Sequence, residues 1–433
     1  MRQGAFNSGG AADRIFALAI VGTWAIFQLF HFWNELPGDL SAVYFAGWFL
    51  NNGAPGLIYD APPHFFGGTP PSWIGLAEQI GGPQATVYPY VYPPLWAALV
   101  APLTGWVDAF QFSRAIYVLH LVLVVASTIL VARQARQRAI PYWCSALVAV
   151  AVLQFSAPAQ NALEQNQPTI LTMFLLLLCL DRLQSGRDAM AGLCLAVAVG
   201  LKISPVLFLL ILLVERRARA LAFFAVAGGL LAGLGLLLCG IEAHRHFFAA
   251  LGLVGDTGLM SVANLSLRTA LYGMAGVAGA APTFDPQQSI FLIPDMPGWI
   301  GRSMAISALL IAAGWLMRLR RLERSARLEL SWLTIALIIP LFGPLGWQHY
   351  YLLPLFLLPG LIFRLADGLR LIAVAAALVS SALATLLLTG LMPWPTLAYV
   401  WVATAGWLVI LGLIPFARDA RTGNQNGLTT LPE

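Results

Sequence analysis

The sequence predicts an all-α polytopic membrane protein, and three observations predict it. Of the 433 residues, 59% are apolar and only 10% carry charge, where soluble domains carry about 25%. The mean hydropathy is +0.78. Apolar runs of the ~20 residues needed to cross a bilayer recur along the chain, and arginines gather in alternate short turns between them. So apolar a surface has no stable arrangement in water.

Taken in order, clear runs extend from Arg14 to Trp33, Phe110 to Ala132, Ala218 to Gly240, Trp299 to Leu316, Leu369 to Gly390 and Thr396 to Phe416. Shorter or Pro-interrupted runs extend from Ile140 to Ala157, Pro168 to Leu180, Ala189 to Leu201, Pro205 to Val214, Leu328 to Gly343 and Tyr350 to Phe363. Short segments still span where their ends line a cavity instead of lipid, so about twelve spans are expected. With the amino terminus in the cytoplasm, the cytoplasmic side holds 19 of the 24 basic residues and the outer side holds Arg114, Lys202, Arg245, Arg268 and Arg302. That asymmetry sets the topology. It reads the net charge of +5 as orientation and not as nucleic-acid binding. Both termini are then cytoplasmic, in a multi-pass plasma (inner) membrane protein.

The segment from Pro93 to Trp106 is apolar enough to mimic a span, but counting it would invert every later loop; it reads as a short helix at the outer interface. The first run has no cleavage-site pattern and reads as a retained span. A single membrane domain over residues 1–417 and a polar cytoplasmic tail over 418–433 follow. Two outer loops are long, 34–108 and 241–298, and function concentrates in such loops. Within the first, LSAVYFAGWFL (Leu40–Leu50) has the composition of an interfacial helix. The four cysteines fall inside spans, where Cys is a small packing residue.

The candidate chemistry lies at the outer ends of spans. Asp39, in ELPGDLSAVY, is either an N-cap or a general base at the membrane surface. Asp60, in GLIYDAPP, is a turn residue or a second carboxylate of the site. Lys202, the only lysine, sits at a break between two short half-spans with Pro205 behind it. An ammonium at that depth takes a partner, and a lipid phosphate suits it; otherwise it snorkels to the interface. Arg268 and Arg302 suit bidentate phosphate recognition or are solvated interface charges. Gln167, in EQNQPTIL, opens a short span whose N-cap would be Asn166. His349, in FGPLGWQHYYLLP, is part of an aromatic belt beside Trp347 or a donor to a phosphate leaving group. His244 and His246 form an HRH pair without a third metal ligand. No nucleotide, Walker, GxSxG or HExxH motif occurs, so neither metal nor cofactor is expected.

Several of these residues stand in a recognisable order: GDLSAVYFAGWFLNNGAPGLIYD, YVYPPLWAALVAPL, NQPTILTMFLLLL, AGLCLAVAVGLKISP and GPLGWQHYYLLP. The chain resembles the family 87 glycosyltransferases, polyprenyl-phosphate-mannose-dependent mannosyltransferases of the GT-C superfamily, from Asp39 to about Pro359. The resemblance implies a GT-C type bundle that moves a sugar, β-mannose, from a polyprenyl-phosphate donor to a lipid or glycan acceptor, with inversion, at the outer face. It also implies Asp39 as catalytic base, Pro93 and Pro94 as the proline pair after Tyr92, Gln167 as the glutamine opening a short span, Lys202 as the lysine before Pro, and Trp347 with His349 as the late Trp-x-His. Three positions depart from the family pattern: Asn166 replaces a glycine, Thr169 an asparagine, and Tyr350 a second histidine. The alternatives are a related enzyme using another lipid-linked sugar, and a transporter or lipid flippase. A transporter would show inverted repeats and midplane charges, whereas here the polar residues gather at one face.

Overall fold

A computed structural model describes residues 10–61, 68–136, 140–256, 258–279, 290–293, 298–392 and 394–419. The expected tail beyond Asp419, and Arg2, Arg138 and Arg421, lie outside the described residues. The regular structure of the described residues is helical apart from one two-stranded antiparallel sheet, β1 (Gly258–Ser261) and β2 (Ile290–Ile293), with a helix between the strands in the chain. That sheet, inside the loop 241–298, departs from a purely α-helical expectation.

The first helices are α1 (Ala11–His31), α2 (Gly38–Asn51), α3 (Ile74–Gly81), α4 (Pro94–Val100), α5 (Ala109–Arg136) and α6 (Tyr142–Phe155). Then come α7 (Ala157–Glu164), α8 (Thr169–Gln184), α9 (Asp188–Leu201), α10 (Leu209–Val214), α11 (Ala218–Asp256) and α12 (Leu267–Val277). The last are α13 (Gly298–Leu319), α14 (Arg324–Phe342), α15 (Leu352–Ile362), α16 (Asp367–Ser381), α17 (Leu383–Thr389) and α18 (Pro395–Leu413). Among the described residues, six segments are long and apolar enough to cross a bilayer alone: Ala11–His31, Ala109–Arg133, Ala218–Gly255, Gly298–Leu319, Arg324–Phe342 and Pro395–Phe416.

One expected span differs. The run from Leu369 to Gly390 is broken at Ala382, whose extended backbone pairs with Ser156 across the bundle and separates α16 from α17. The run expected to stop at Gly240 does so: Gly240 adopts φ 73°, ψ 173°, a non-helical conformation that glycine enters freely, and a second helical stretch follows it directly to Asp256, so that α11 is two helices joined at a kink. The first part of the loop 241–298 is thus helical. The segment after Pro93 also forms the expected short helix, α4, followed by a 3₁₀ turn over Ala101–Gly105.

Two cores organise the chain. The larger joins α5, α8, α9, α14, α15 and α18 around Trp332, Tyr351 and Trp407. The smaller encloses α2, whose Tyr44, Phe45 and Phe49 pack on Trp73, Tyr90 and Phe112. The aromatic residues of α2, the helix that composition reads as interfacial, bury against those neighbours, and most of the helix is inaccessible. Polar contacts replace capping residues between spans: Asp13 of α1 accepts from the backbone N–H groups of Tyr142 and Trp143 at the start of α6 (3.2 and 3.1 Å). The four cysteines are free, as packing residues should be.

The helices have two chemically distinct ends. At one, Arg217 pairs with Asp188 (3.0 Å), Arg327 with Glu215 (2.6 Å) and Arg364 with Glu329 (2.7 Å), while the Gln184 amide reaches Ser325 (3.5 Å). The opposite ends of α8, α9 and α14 carry the candidate site residues. The Arg364–Glu329 pair is deeply buried, and it fits only because Gly360 has no side chain: a Cβ there would lie 2.1 Å from Glu329 Oε1. Truncating one member of a buried pair strands the other charge, at about 3–5 kcal/mol. Glu329→Ala is therefore expected to lower the thermal unfolding midpoint in detergent sharply, and Gly360→Ala to lower it in the same direction by displacing the carboxylate.

Candidate active site

One cavity of about 1220 Å³ opens at the end of the bundle away from the paired arginines, and nine of the ten sequence-derived candidates line it. Asp39, Tyr92, Gln167, Lys202, Arg268, Arg302, Trp347, His349 and Tyr350 come together there from seven separate stretches of chain. Asp60 does not: it is exposed at the end of the turn after Pro55–Leu57, outside the lining. Tyr88, Asn161 and Gln165 also line the cavity and carried no sequence signal.

Asp39 sits in the first turn of α2, but α2 begins after Pro37 with no side-chain cap. The capping reading is therefore excluded. Its carboxylate instead accepts a short hydrogen bond from the Gln167 side-chain amide. Burial pushes the Asp39 carboxyl up to about 6, opposed by that hydrogen bond and by attraction to Lys202.

Lys202 follows α9 in extended conformation (φ −152°, ψ 128°) before the 3₁₀ turn Ser204–Phe208, because Pro205 cannot continue the helix. The last carbonyl of α9, Leu201 O, accepts from Trp96 Nε1 at 3.1 Å, tying α4 to the break. The ammonium donates to Thr169 Oγ1 (3.1 Å) and lies 3.9 Å from the centre of the Tyr350 ring, a cation–π distance. Burial brings Lys202 down to about 7, offset by the attraction of Asp39. Tyr350, where the family pattern favours histidine, thus supplies an aromatic face to the lysine.

Gln167 and Thr169 belong to one turn. Gln167 Oε1 faces Tyr92 OH and Thr169 Oγ1, each at 3.5 Å. Asn166 is not the N-cap of α8, whose cap residue is Pro168 without a side-chain bond. It closes α7 with φ 46°, the left-handed region that glycine enters freely and asparagine tolerates. This accounts physically for asparagine at a position of glycine.

His349 lies in the 3₁₀ turn Gln348–Tyr351, buried, with Nδ1 3.1 Å from Asn161 Oδ1. Burial, then the nearby Lys202 charge, hold it well below the ordinary histidine range, hence neutral. Its turn is pinned by Asn264, whose backbone pairs with Trp347. The Asn264 side chain accepts from Gly346 N–H (2.7 Å) and donates to Leu259 O (2.7 Å) and Thr269 Oγ1 (3.0 Å). Arg268 is buried beneath the same segment and donates to Gly255 O (2.6 Å), whereas Arg302 is exposed at the cavity mouth. His244 is half-buried and its Nδ1 lies 2.8 Å from the carbonyl of Gly240; among the described residues no metal-ligating cluster occurs.

The family model for Glycosyltransferase family 87 matches residues 90–344. The matched stretch contains Tyr92, Gln167, Lys202, Arg268 and Arg302, while Asp39 and residues 347–350 fall outside it. The chain is 29% identical over 404 residues to a polyprenol-phosphate-mannose-dependent alpha-(1-2)-phosphatidylinositol mannoside mannosyltransferase of Mycobacterium tuberculosis, covering 83% of this chain and 86% of that protein. It is 26% identical over 450 residues to a protein of the same description from Mycolicibacterium smegmatis, covering 94% and 93%. A pentamannoside mannosyltransferase of M. tuberculosis matches at 28% over 226 residues, 52% of this chain and 46% of that protein.

The contact between residues 259–266 and 345–349 admits no extra atoms: a Cβ on Gly346 would lie 2.5 Å from Pro340 O and 2.6 Å from Ser266 N. Backbone on both sides cannot yield. Gly346→Ala is expected to displace Trp347 and His349 and abolish activity. Asn264→Ala strands buried backbone groups, at about 1–3 kcal/mol each, and should lower the unfolding midpoint in detergent.

Proposed function

This chain belongs to glycosyltransferase family 87, and from that premise we propose that it transfers mannose from a polyprenyl-phosphate donor to a hydroxyl of a lipid or glycan acceptor, with inversion, at the outer face of the membrane. The observation that carries the reading is the opening of Asp39 and Lys202 onto one cavity, each within the other's electrostatic reach.

Asp39 takes the proton of the acceptor hydroxyl as its oxygen attacks C1 of the sugar. The bond from C1 to the phosphate oxygen breaks on the opposite face, and its electron pair leaves with the polyprenyl phosphate. Lys202 holds that phosphate, Arg302 at the mouth draws it in, and neutral His349, whose Nδ1–H faces Asn161 Oδ1, accepts at Nε2 from a sugar or acceptor hydroxyl. Arg268, already engaged with Gly255 O, positions the wall more than it grips the anion. A β-linked donor and inversion give an α-linked product, in keeping with the α-linkage in the relatives' names. Charge develops on the phosphate in a low-dielectric site, where a fixed ammonium counts most.

The prenyl chain has a suitable path. Leu207, Leu210, Leu251, Val254, Ala308 and Ile338 form an apolar extension of the cavity between α10, α11, α13 and α14, and α11, packed along one side on α9 and α4, has few fully buried residues, as a lipid-facing helix does. The orientation belongs to the same reading: the paired-arginine end is cytoplasmic by the distribution of positive charge. So does the count of about twelve spans, in which α6, α8, α9, α10, α15 and the pair α16–α17 complete the traverses left by the six long helices. Asp60, exposed and apart, has no role in it.

The test uses purified protein, radiolabelled polyprenyl-phosphate mannose and a panel of phosphatidylinositol mannosides and glycans, with other polyprenyl-phosphate sugars in parallel. Wild type should transfer mannose, and Asp39→Asn, still folded, should lose about 10²–10⁴-fold in kcat. Equal transfer by Asp39→Asn would remove the base; transfer of only another sugar would replace the donor.

The pH dependence follows from the same pair. Asp39 must be ionised, so kcat/KM rises as pH climbs through about 6; Lys202 must be protonated, so it falls above about 7. A bound phosphate favours the ammonium, so the alkaline limb of kcat should lie above that of kcat/KM.

A further inference from the structure

Helix α5 carries a histidine that the mechanism above does not use. His120 is 2% exposed, and its Nδ1 lies 2.7 Å from Asn166 Oδ1. The Asn166 amide nitrogen donates to Ser113 O at 2.9 Å. A backbone carbonyl only accepts, so Ser113 O fixes which end of the asparagine amide faces it. Oδ1 then faces His120, and since Oδ1 also only accepts, the proton resides on Nδ1 of the imidazole.

Asn166 is the left-handed residue of a Schellman turn that ends α7. Its N–H donates to Leu163 O (3.0 Å), and the N–H of Gln167 donates to Ala162 O (2.9 Å). The next residue in that turn is Gln167, whose amide meets Asp39. We propose that His120 is a positioning residue: through Asn166 it holds the turn that presents Gln167 to Asp39, coupling a span of the bundle to the base. A non-glycine residue at φ 46° keeps that conformation because its side chain is anchored at both ends, and His120 supplies one anchor. Without it, an acceptor is left unpaired in a buried setting, and the turn relaxes to pair it elsewhere.

The inference rests on Asp39 as base, and its test separates the two. His120→Leu removes the donor at similar bulk; His120→Asn keeps an amide N–H near the place of Nδ1. Lys202, Tyr88, Tyr92 and Tyr350 also act on Asp39 electrostatically, so each kinetic profile is compared with that of Gln167→Ala. His120→Leu should lower kcat by roughly ten- to a hundredfold, leave donor KM within about twofold, since the geometry lost is that of the base, and move the acid limb upward as Gln167→Ala does, because a hydrogen bond to the carboxylate is weakened. His120→Asn should stay near wild type. If Asp39→Asn is active, inference and premise fall together. If Asp39→Asn is inactive while His120→Leu keeps wild-type kcat and profile, the inference alone falls. Nitrogen-15 NMR of histidine-labelled wild type, with the resonance assigned through His120→Asn, needs no altered fold: an Nδ1–H tautomer supports the contact and an Nε2–H tautomer overturns it.

Discussion

A carboxylate and an ammonium, both withdrawn from water, can remain charged only through each other and through the few dipoles that reach them. Burial drives Asp39 and Lys202 toward their neutral forms. Their mutual attraction opposes it, and so does one turn of chain: Gln167 donates to Asp39, while Thr169, two residues on, accepts from Lys202. Residues 166–169 therefore act as a ruler between the two charges. If the turn moves, both groups lose their nearest polar partner at once.

The rest of the fold keeps that ruler still. On one side α2 is clamped in its own aromatic core, so Asp39 is presented by a rigid element. Beyond it, α9 stops one residue short of Lys202, and Trp96 holds the final carbonyl. Behind the cavity, Asn264 ties residues 259–266 to residues 345–349 and fixes the face on which Tyr350 meets the ammonium. Each fastening uses a backbone group that would otherwise be unpaired where water is scarce.

Much of this was legible in the sequence, and what was not has a physical reason. Lys202 stood out because one lysine beside a proline break in an apolar chain has few explanations. Five of the six clear spans correspond to long helices, since hydropathy over ~20 residues is a strong signal. The run ending at Gly390 misled because an apolar stretch looks the same whether continuous or broken at an alanine; the break at Ala382 comes from its pairing with Ser156. Asp60 resembled Asp39 by composition, and only burial separates them. Asn264 and His120 were silent because their importance lies in partners distant along the chain. Asn166 was visible only as a departure from a family glycine, and its reason is a backbone angle that sequence does not display.

The shared cavity of ammonium and carboxylate also bears on how so apolar a site would tolerate the ionic reaction proposed above. On the proposed path, a phosphodiester carrying one negative charge becomes a monoester carrying two, while Asp39 becomes neutral on taking the proton. Net charge in the cavity does not change; it moves from carboxylate to phosphate. In a low-dielectric space such a shift is costly when it separates the anion from its counter-ion. Lys202, within electrostatic reach of Asp39 and facing the space the phosphate would fill, attracts the charge at both ends of that shift. The Tyr350 face and Thr169 hydroxyl hold the ammonium, so on the proposed path the field that stabilises the transition state is built into the fold.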